Sequence, residues 1–233
     1  MSYFIPSTLP RLMVAPNGAR PMKKDHPKVP ITISEIVNTG KACFQAGAGA
    51  IHFHTRDKKG VHVLDSGLSK EALKELNLKV PKMHLQITTE AVGRYSPDQM
   101  RKLAYDVMPP GISISIKEMI PTNKPSSEDI KLYKHLTESG TKIQHICYEP
   151  NDIDLLEDLL NKSEISKEGT WCMFVIGHYS GKISNPEKIN SFVEKLKTIR
   201  NQIEDHIKKS DEFNTSIGTV SYTHLTLPTK RIV

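Results

Sequence analysis

Short apolar runs rich in β-branched residues alternate with helix-patterned stretches along this chain, and that alternation restricts the fold more than any other feature. The runs lie at 12–15, 50–54, 84–88, 112–116, 142–147 and 172–176, and the helical stretches at 32–46, 70–76, 97–107, 127–139, 152–160 and 186–207. Three helices open on a capping pattern: Ser34-Glu35, Ser96-Pro97-Asp98-Gln99 and Ser126-Ser127-Glu128-Asp129. Each sets a side-chain oxygen before acidic or amide residues, where the free amides of a first turn attract them. Strand and helix repeat six times with a period of roughly 25 to 37 residues. Neighbouring parallel strands need crossovers of that length, so the pattern predicts an α/β protein with a parallel sheet.

An open doubly wound sheet and a closed barrel both satisfy that pattern, and two observations favour the barrel. No Gly-rich phosphate fingerprint follows the first strand. Polar residues stand at the C-terminal end of nearly every strand: Asn17, His52 and His54, Thr88 and Thr89, Glu118, Tyr148 and His178. A (β/α)8 TIM barrel gathers those ends around one mouth, where such enzymes do their chemistry. The fit is incomplete, because a closed barrel takes eight strands and about 250 residues. This chain of 233 residues offers six clear strands and the beginning of a seventh near 213–217.

Charge and cysteines narrow the function classes. The net charge of +6 comes from Lys and Arg scattered along the chain, and aromatic residues make up only 6%. No dense basic run is interleaved with Phe or Tyr, so nucleic acid is not the expected partner. The basic balance suits solvated helix faces and attraction for small anions. Cys43, Cys147 and Cys172 are odd in number and sit in apolar segments; buried thiols in a reducing compartment explain them better than disulfides. No apolar run reaches the roughly 20 residues of a membrane helix, and the N-terminus lacks a signal-peptide pattern. A cytoplasmic protein is expected.

The candidate site begins at Ile51-His52-Phe53-His54-Thr55-Arg56-Asp57. Residues two apart on a strand face the same way, so the imidazoles of His52 and His54 project together and can converge on a divalent ion. The same spacing also serves two hydrogen-bonded histidines at a strand end. Arg56 beside an ion would clamp a substrate carboxylate, and Asp57 would orient a histidine or act as a base. A local Arg56–Asp57 ion pair is the plainer alternative. The remaining histidines, His62 among them, lack metal spacing, although His178 could line the mouth.

These residues resemble the β-keto acid cleavage enzyme family. The likeness runs through Ala15-Pro16-Asn17-Gly18-Ala19-Arg20, Asp25-His26-Pro27, Pro30-Ile31-Thr32 and Ala46-Gly47-Ala48. It continues through Ile51 to Asp57, Leu85-Gln86-Ile87-Thr88-Thr89-Glu90-Ala91-Val92-Gly93 and Ile114-Ser115-Ile116-Lys117-Glu118. Ile143-Gln144-His145-Ile146-Cys147-Tyr148 and Phe174-Val175-Ile176-Gly177-His178-Tyr179 carry it on, so it spans nearly all of 10–218. The resemblance implies a zinc-dependent (β/α)8 barrel, usually a homo-oligomer. It also implies a reaction in which a β-keto acid condenses with acetyl-CoA to give acetoacetate and a new acyl-CoA. A Lewis acid held by the keto oxygen and carboxylate of such a substrate would orient it and stabilise its enolate. By the same resemblance His52 and His54 are zinc ligands and Thr88 is the hydroxyl residue that binds and polarises substrate. Thr89 and the Gly93 turn shape the pocket, and Asn17 belongs to the same strand-end set. Glu118 either lines the mouth or pairs with a neighbouring cation. The same histidine pair would also serve another metal-dependent hydrolase or aldolase, which would not need acetyl-CoA, or an inactive barrel kept for binding.

Two departures from the family matter. The member acting on 3-keto-5-aminohexanoate, from lysine fermentation, has an acid where this chain has Arg20. An arginine repels an ammonium and welcomes a carboxylate or neutral tail, so a neutral or acidic β-keto acid is the expected substrate. In the family the eighth strand also supplies a glutamate as third zinc ligand, with an arginine and an aspartate that activate the substrate. No such segment follows Phe213-Asn214-Thr215-Ser216-Ile217-Gly218; the stretch 219–233 resembles translated vector or adapter sequence. The reading is a partial barrel over 1–218 and a non-native tail over 219–233, with weak zinc binding, poor expression and no activity expected of the chain as written.

Overall fold

The computed structural model describes residues 2–7, 10–165, 170–176, 187–204 and 214–219. Among the described residues seven strands and seven helices follow one another: β1 (Met13–Val14), α1 (Ile33–Gln45), β2 (Ala50–His52), α2 (Ser66–Lys79), β3 (His84–Thr88), α3 (Pro97–Val107) and β4 (Gly111–Ser115). Then come α4 (Ile116–Met119), α5 (Ser127–Glu138), β5 (Lys142–Cys147), α6 (Asn151–Lys162), β6 (Trp171–Ile176), α7 (Lys188–Glu204) and β7 (Asn214–Thr219). The strands form one sheet in the order β1-β2-β3-β4-β5-β6-β7, and every neighbouring pair is parallel. All strands therefore end on the same side, as the barrel reading requires. The seventh strand is fully paired with β6 from Asn214 to Thr219. Apart from Thr219, the segment read as a foreign tail lies outside the described residues, as does His178.

Strand alternation divides the molecule. Ile51, Leu85, Ile87, Ile112, Ile114, Cys172 and Phe174 are at most 2% exposed, and they form one cluster with Ile36, Leu73, Leu76, Met100, Leu132 and Leu159 of the helices. Phe174 stacks on Phe192 of α7, with ring centroids 4.7 Å apart. Each such side chain contributes about 1.5–3 kcal/mol by leaving water. The residues between them (Gln86, Thr88, Ser113, Ser115) are buried too, yet polar. Helix packing accounts for the first set, and the inner face of the sheet carries the second.

Local signals set several boundaries. Ser96 and Ser126 cap α3 and α5 with reciprocal bonds to Gln99 and Asp129. At α1 the cap is Thr32 rather than Ser34. Its hydroxyl accepts from Glu35 N at 3.2 Å, and Glu35 Oε2 accepts from Thr32 N at 3.0 Å. Glu35 needs a partner three residues earlier to close this reciprocal box, and Thr32 occupies that position.

Candidate active site at the mouth of the sheet

Parallel register builds the site. His52 at the end of β2 pairs with Gln86 on β3, so Gln86 Oε1 lies 2.7 Å from His52 Nδ1. With a carbonyl oxygen facing it, His52 Nδ1 carries the proton and Nε2 keeps its lone pair. His54 Nε2 stands 3.0 Å from that lone pair. Asn17, in the loop after β1, fixes His54 from behind: Asn17 Oδ1 accepts from His54 N at 3.0 Å and Nδ2 donates to His54 O at 2.9 Å. Burial pushes the pKa of His52 down to about 4, with the nearby His62 adding to the effect and the Gln86 bond opposing it. Burial also holds His54 well below its ordinary value, helped by His52, His62, Arg56 and Arg20. Both rings are thus neutral at neutral pH, the form that ligates metal.

The two rings open onto a cavity of about 220 Å³. Thr88, Glu90, Ser113, Ser115 and Glu118 give it a polar stretch, which Ile146, Met173 and Val175 of the next strands continue as an apolar wall. Thr88 Oγ1 accepts from Glu90 N at 3.0 Å and from Ser113 Oγ at 3.2 Å, which leaves its own hydroxyl proton for a bound oxygen. Ser115 caps the four-residue α4 through Glu118 N at 3.3 Å. That turn brings Glu118 Oε2 to 3.1 Å from Ala91 N. Burial raises the Glu118 pKa and the neighbouring Glu90 adds to it, while the Ala91 amide and Arg20 oppose.

The strand-end residues read from the sequence divide into two groups. His52, His54, Thr88 and Glu118 meet at the cavity, whereas Asn17, Arg20, Thr89 and Arg56 do not line it. Thr89 Oγ1 donates to Ser113 O at 3.0 Å, within the sheet. Arg20 Nη1 pairs with Glu90 Oε1 at 2.8 Å above the cavity. Arg56 is 6% exposed and spends its guanidinium on backbone carbonyls: Gly60 O at 2.7 Å, Pro21 O at 3.0 Å, and Gly18 O. It holds the β1–α1 loop to the β2–α2 loop. Asp57 is not its ion partner; that carboxylate accepts from Lys59 N at 2.8 Å and Val61 N at 2.9 Å.

Sequence reasoning passed over four residues that the structure brings to the site. Glu90 sits between Arg20 and His54, with Oε2 3.6 Å from His54 Nδ1. Its signal was the two-residue step from Thr88, the same step that links His52 to His54. Ser113 and Ser115 alternate with isoleucines on β4, and polar alternation on a strand otherwise buried was their signal. His62 has no such signal: an antiparallel bridge from Arg56 carries it back so that its ring centroid lies 5.0 Å from that of His54.

The paired imidazoles suit a cation. Nitrogens about 2.0–2.1 Å from a zinc ion lie roughly 3.3 Å apart at tetrahedral angles, close to the 3.0 Å between the two Nε2 atoms. A cation on both lone pairs would move the His54 proton to Nδ1, which is buried without a hydrogen-bond partner and faces Glu90 Oε2. Carboxylates orient metal-binding histidines in this manner. Among the described residues no third His, Cys, Asp or Glu completes a ligand group.

This is the architecture of a (β/α)-barrel protein whose site lies at the C-terminal ends of its strands. The same fold occurs in the type I 3-dehydroquinate dehydratase from Clostridium difficile, at a TM-score of 0.57 and 11% identity over 93% of this chain and 78% of that one. It occurs also in the dehydroquinate dehydratase and shikimate dehydrogenase from S. pombe, at 0.53 and 11% over 91% of this chain and 37% of that one. The model of the beta-keto acid cleavage enzyme family matches residues 11–208, and the chain belongs to that family. It is 33% identical over 78 residues to the 3-oxoadipate:acetyl-CoA acetyltransferase of Cupriavidus necator, spanning 34% of this chain and 28% of that protein. It is 31% identical over 85 residues to the 3-keto-5-aminohexanoate cleavage enzyme of Acetoanaerobium sticklandii, spanning 36% and 31%. The matched segments thus cover under a third of either relative.

Proposed function

We propose that this protein is an acetyl-CoA-dependent β-keto acid cleavage enzyme that uses a zinc ion held by His52 and His54. The observation that carries the reading is the convergence of the two Nε2 atoms, 3.0 Å apart, at a cavity that Thr88 also lines. Bound there, a divalent ion would supply Lewis acidity toward the keto oxygen and carboxylate of the substrate. Thr88 would donate its free hydroxyl proton to a substrate oxygen and hold the acid in register with the histidines. Glu118, whose carboxyl burial holds above its ordinary pKa, would exchange a proton with the bound substrate. The apolar wall of Ile146, Met173 and Val175 would keep water from the thioester.

Arg20 sets the preference for the substrate tail. Its guanidinium shares Glu90 with His54 and would offset that carboxylate's charge beside the cavity. A neutral or carboxylate-bearing tail fits this better than an ammonium, and the relative that acts on 3-oxoadipate, a dicarboxylate, points the same way. The three cysteines are free, which fits a reducing cytoplasm, and no described helix is long and apolar enough to cross a membrane. The family resemblance carries homo-oligomerisation with it.

The test is acetyl-CoA-dependent acetoacetate formation by the zinc-loaded protein, with paired β-keto acids differing only in the tail. The expected result is kcat/KM at least about tenfold higher for a carboxylate than for an amino tail, a difference of about 1.4 kcal/mol. Turnover without acetyl-CoA would overturn the reaction, and preference for the amino substrate would overturn the role of Arg20.

A further inference from the structure

A second concavity, of about 410 Å³, lies outside the catalytic cavity between the β1–α1 and β2–α2 loops. Its inner surface is Met22, Ile31 and Gly60, and Lys23, Lys24 and Lys59 stand around it. The floor is built rather than incidental. Arg56 donates to Gly60 O at 2.7 Å and to Met22 Sδ at 3.6 Å from below. Gly60 adopts φ +79°, and a Cβ there would come within 2.8 Å of Met22 Cε. The positive φ favours glycine there, and a Cβ would also displace the Met22 methyl from the floor.

The charges are unevenly matched. Lys23 Nζ is bound by Glu35 Oε1 at 2.6 Å. Glu35 is the only acid that lines the concavity, and Asp25 turns its carboxylate onto Met22 N at 2.8 Å. Lys24 and Lys59 are exposed, and neither makes an ion pair among the described residues. The concavity therefore offers an apolar floor for a flat ring and two ammonium groups for an anion. Arg56 also ties it to the catalytic cavity, because the same guanidinium donates to Gly18 O, and Gly18 lines that cavity.

We propose that this concavity binds the phosphorylated nucleotide end of the acyl-CoA substrate, with the base on Met22 and Ile31 and the phosphates on Lys24 and Lys59. This rests on the acetyl-CoA reading above for the identity of the ligand. The thioester end would then pass over the Arg56-braced rim toward Thr88.

Adenosine 3′,5′-bisphosphate is the probe, titrated calorimetrically into the full chain and into the Lys24→Ala/Lys59→Ala double variant. Both lysines are exposed surface residues, so the variant should keep its circular dichroism spectrum and melting temperature. The bisphosphate is expected to bind the wild type and to lose at least about tenfold in affinity in the variant. Affinity should fall with added salt, and adenosine or inorganic phosphate alone should bind more weakly. No binding to the wild type, or equal binding to both proteins, would overturn the proposal. Acetyl-CoA and acetyl-pantetheine separate it from the functional reading. If the variant raises KM for the former alone, the nucleotide site stands; if it raises both alike, the site falls. Bisphosphate binding that depends on these lysines, in a protein whose turnover ignores acetyl-CoA, would keep the site and reject the reaction.

Discussion

Asn17 grips both backbone polar atoms of His54, accepting from its N–H at 3.0 Å and donating to its carbonyl at 2.9 Å. The same side chain donates to Pro30 O at 3.1 Å and accepts from Gly18 N at 2.8 Å. One buried amide thus ties the β1 loop, the approach to α1 and the histidine strand together. Replacement by alanine leaves buried backbone groups unpaired at about 1–3 kcal/mol each. Asn17→Ala is therefore expected to lower unfolding stability by about 2–4 kcal/mol in urea titrations. A loss below about 0.5 kcal/mol would show that water or a shifted loop replaces the clamp.

Gln86 sets the proton on His52, and so decides whether Nε2 faces the cavity as a lone pair. Gln86→Leu removes that acceptor while roughly preserving volume. Zinc affinity, measured by competition with a chromophoric chelator, is expected to fall about 10–100-fold, as for other outer partners of metal-binding histidines. His52→Ala should remove what zinc affinity the pair of histidines supplies. Unchanged affinity in Gln86→Leu would mean that the ring is oriented by packing alone.

Acid should destabilise the fold through buried histidines that do not line the catalytic cavity, in addition to His52 and His54. Burial lowers the pKa of His84 to about 4, with Lys142 adding to it. Burial likewise lowers His145 to about 4, against the opposing bond to Trp171 O at 3.1 Å. The unfolded chain binds these protons near pH 6.5, so between pH 6.5 and 4 it holds more protons than the native state. Their contribution is complete above pH 6.5 and is lost as pH falls toward 4, on the order of 3 kcal/mol for each. Urea midpoints should drop across that window, and His145→Leu should flatten the slope. An equal slope in that variant would assign the acid lability elsewhere.

Much of the architecture was legible because it follows from periodicity. The bounds of β3, β5 and α3 match the sequence pattern residue for residue, and Ser96 and Ser126 sit where their caps were read. The cap of α1 moved to Thr32 because a reciprocal box needs three residues of spacing, which Ser34-Glu35 does not provide. No pattern announces α4, whose four residues are too few to show a period. Within the site, His52 and Thr88 were readable because they stand at strand ends, whereas the serines of β4, which follow the same two-residue step, were passed over. The positions of Arg56 and His62 depend on how the loop after β2 turns back on itself. That is why an arginine expected to clamp substrate instead braces two loops, and a histidine without metal spacing stands beside His54.

The narrow end of the sheet gives a test of packing that does not touch the site. A Cβ on Gly111 would lie 2.5 Å from His84 Nε2, 2.8 Å from His84 Cε1 and 2.9 Å from Leu85 O. The first two atoms belong to a side chain held in a fully buried position, and the third is backbone of the neighbouring strand. Neither can yield cheaply, so Gly111→Ala is expected to cost about 1–3 kcal/mol as an overpacking change. Gly93→Ala is the contrasting case: its φ is +70°, yet nothing stands within 4 Å of the added Cβ, so only the backbone penalty of about 1–2 kcal/mol applies. Combining each with His84→Ala separates the two causes. Removing the imidazole should recover part of the Gly111→Ala loss, with the Leu85 carbonyl accounting for the remainder, and should leave the Gly93→Ala loss unchanged. Equal additivity in both pairs would mean that β3 and β4 approach less closely at Gly111 than the contacts require.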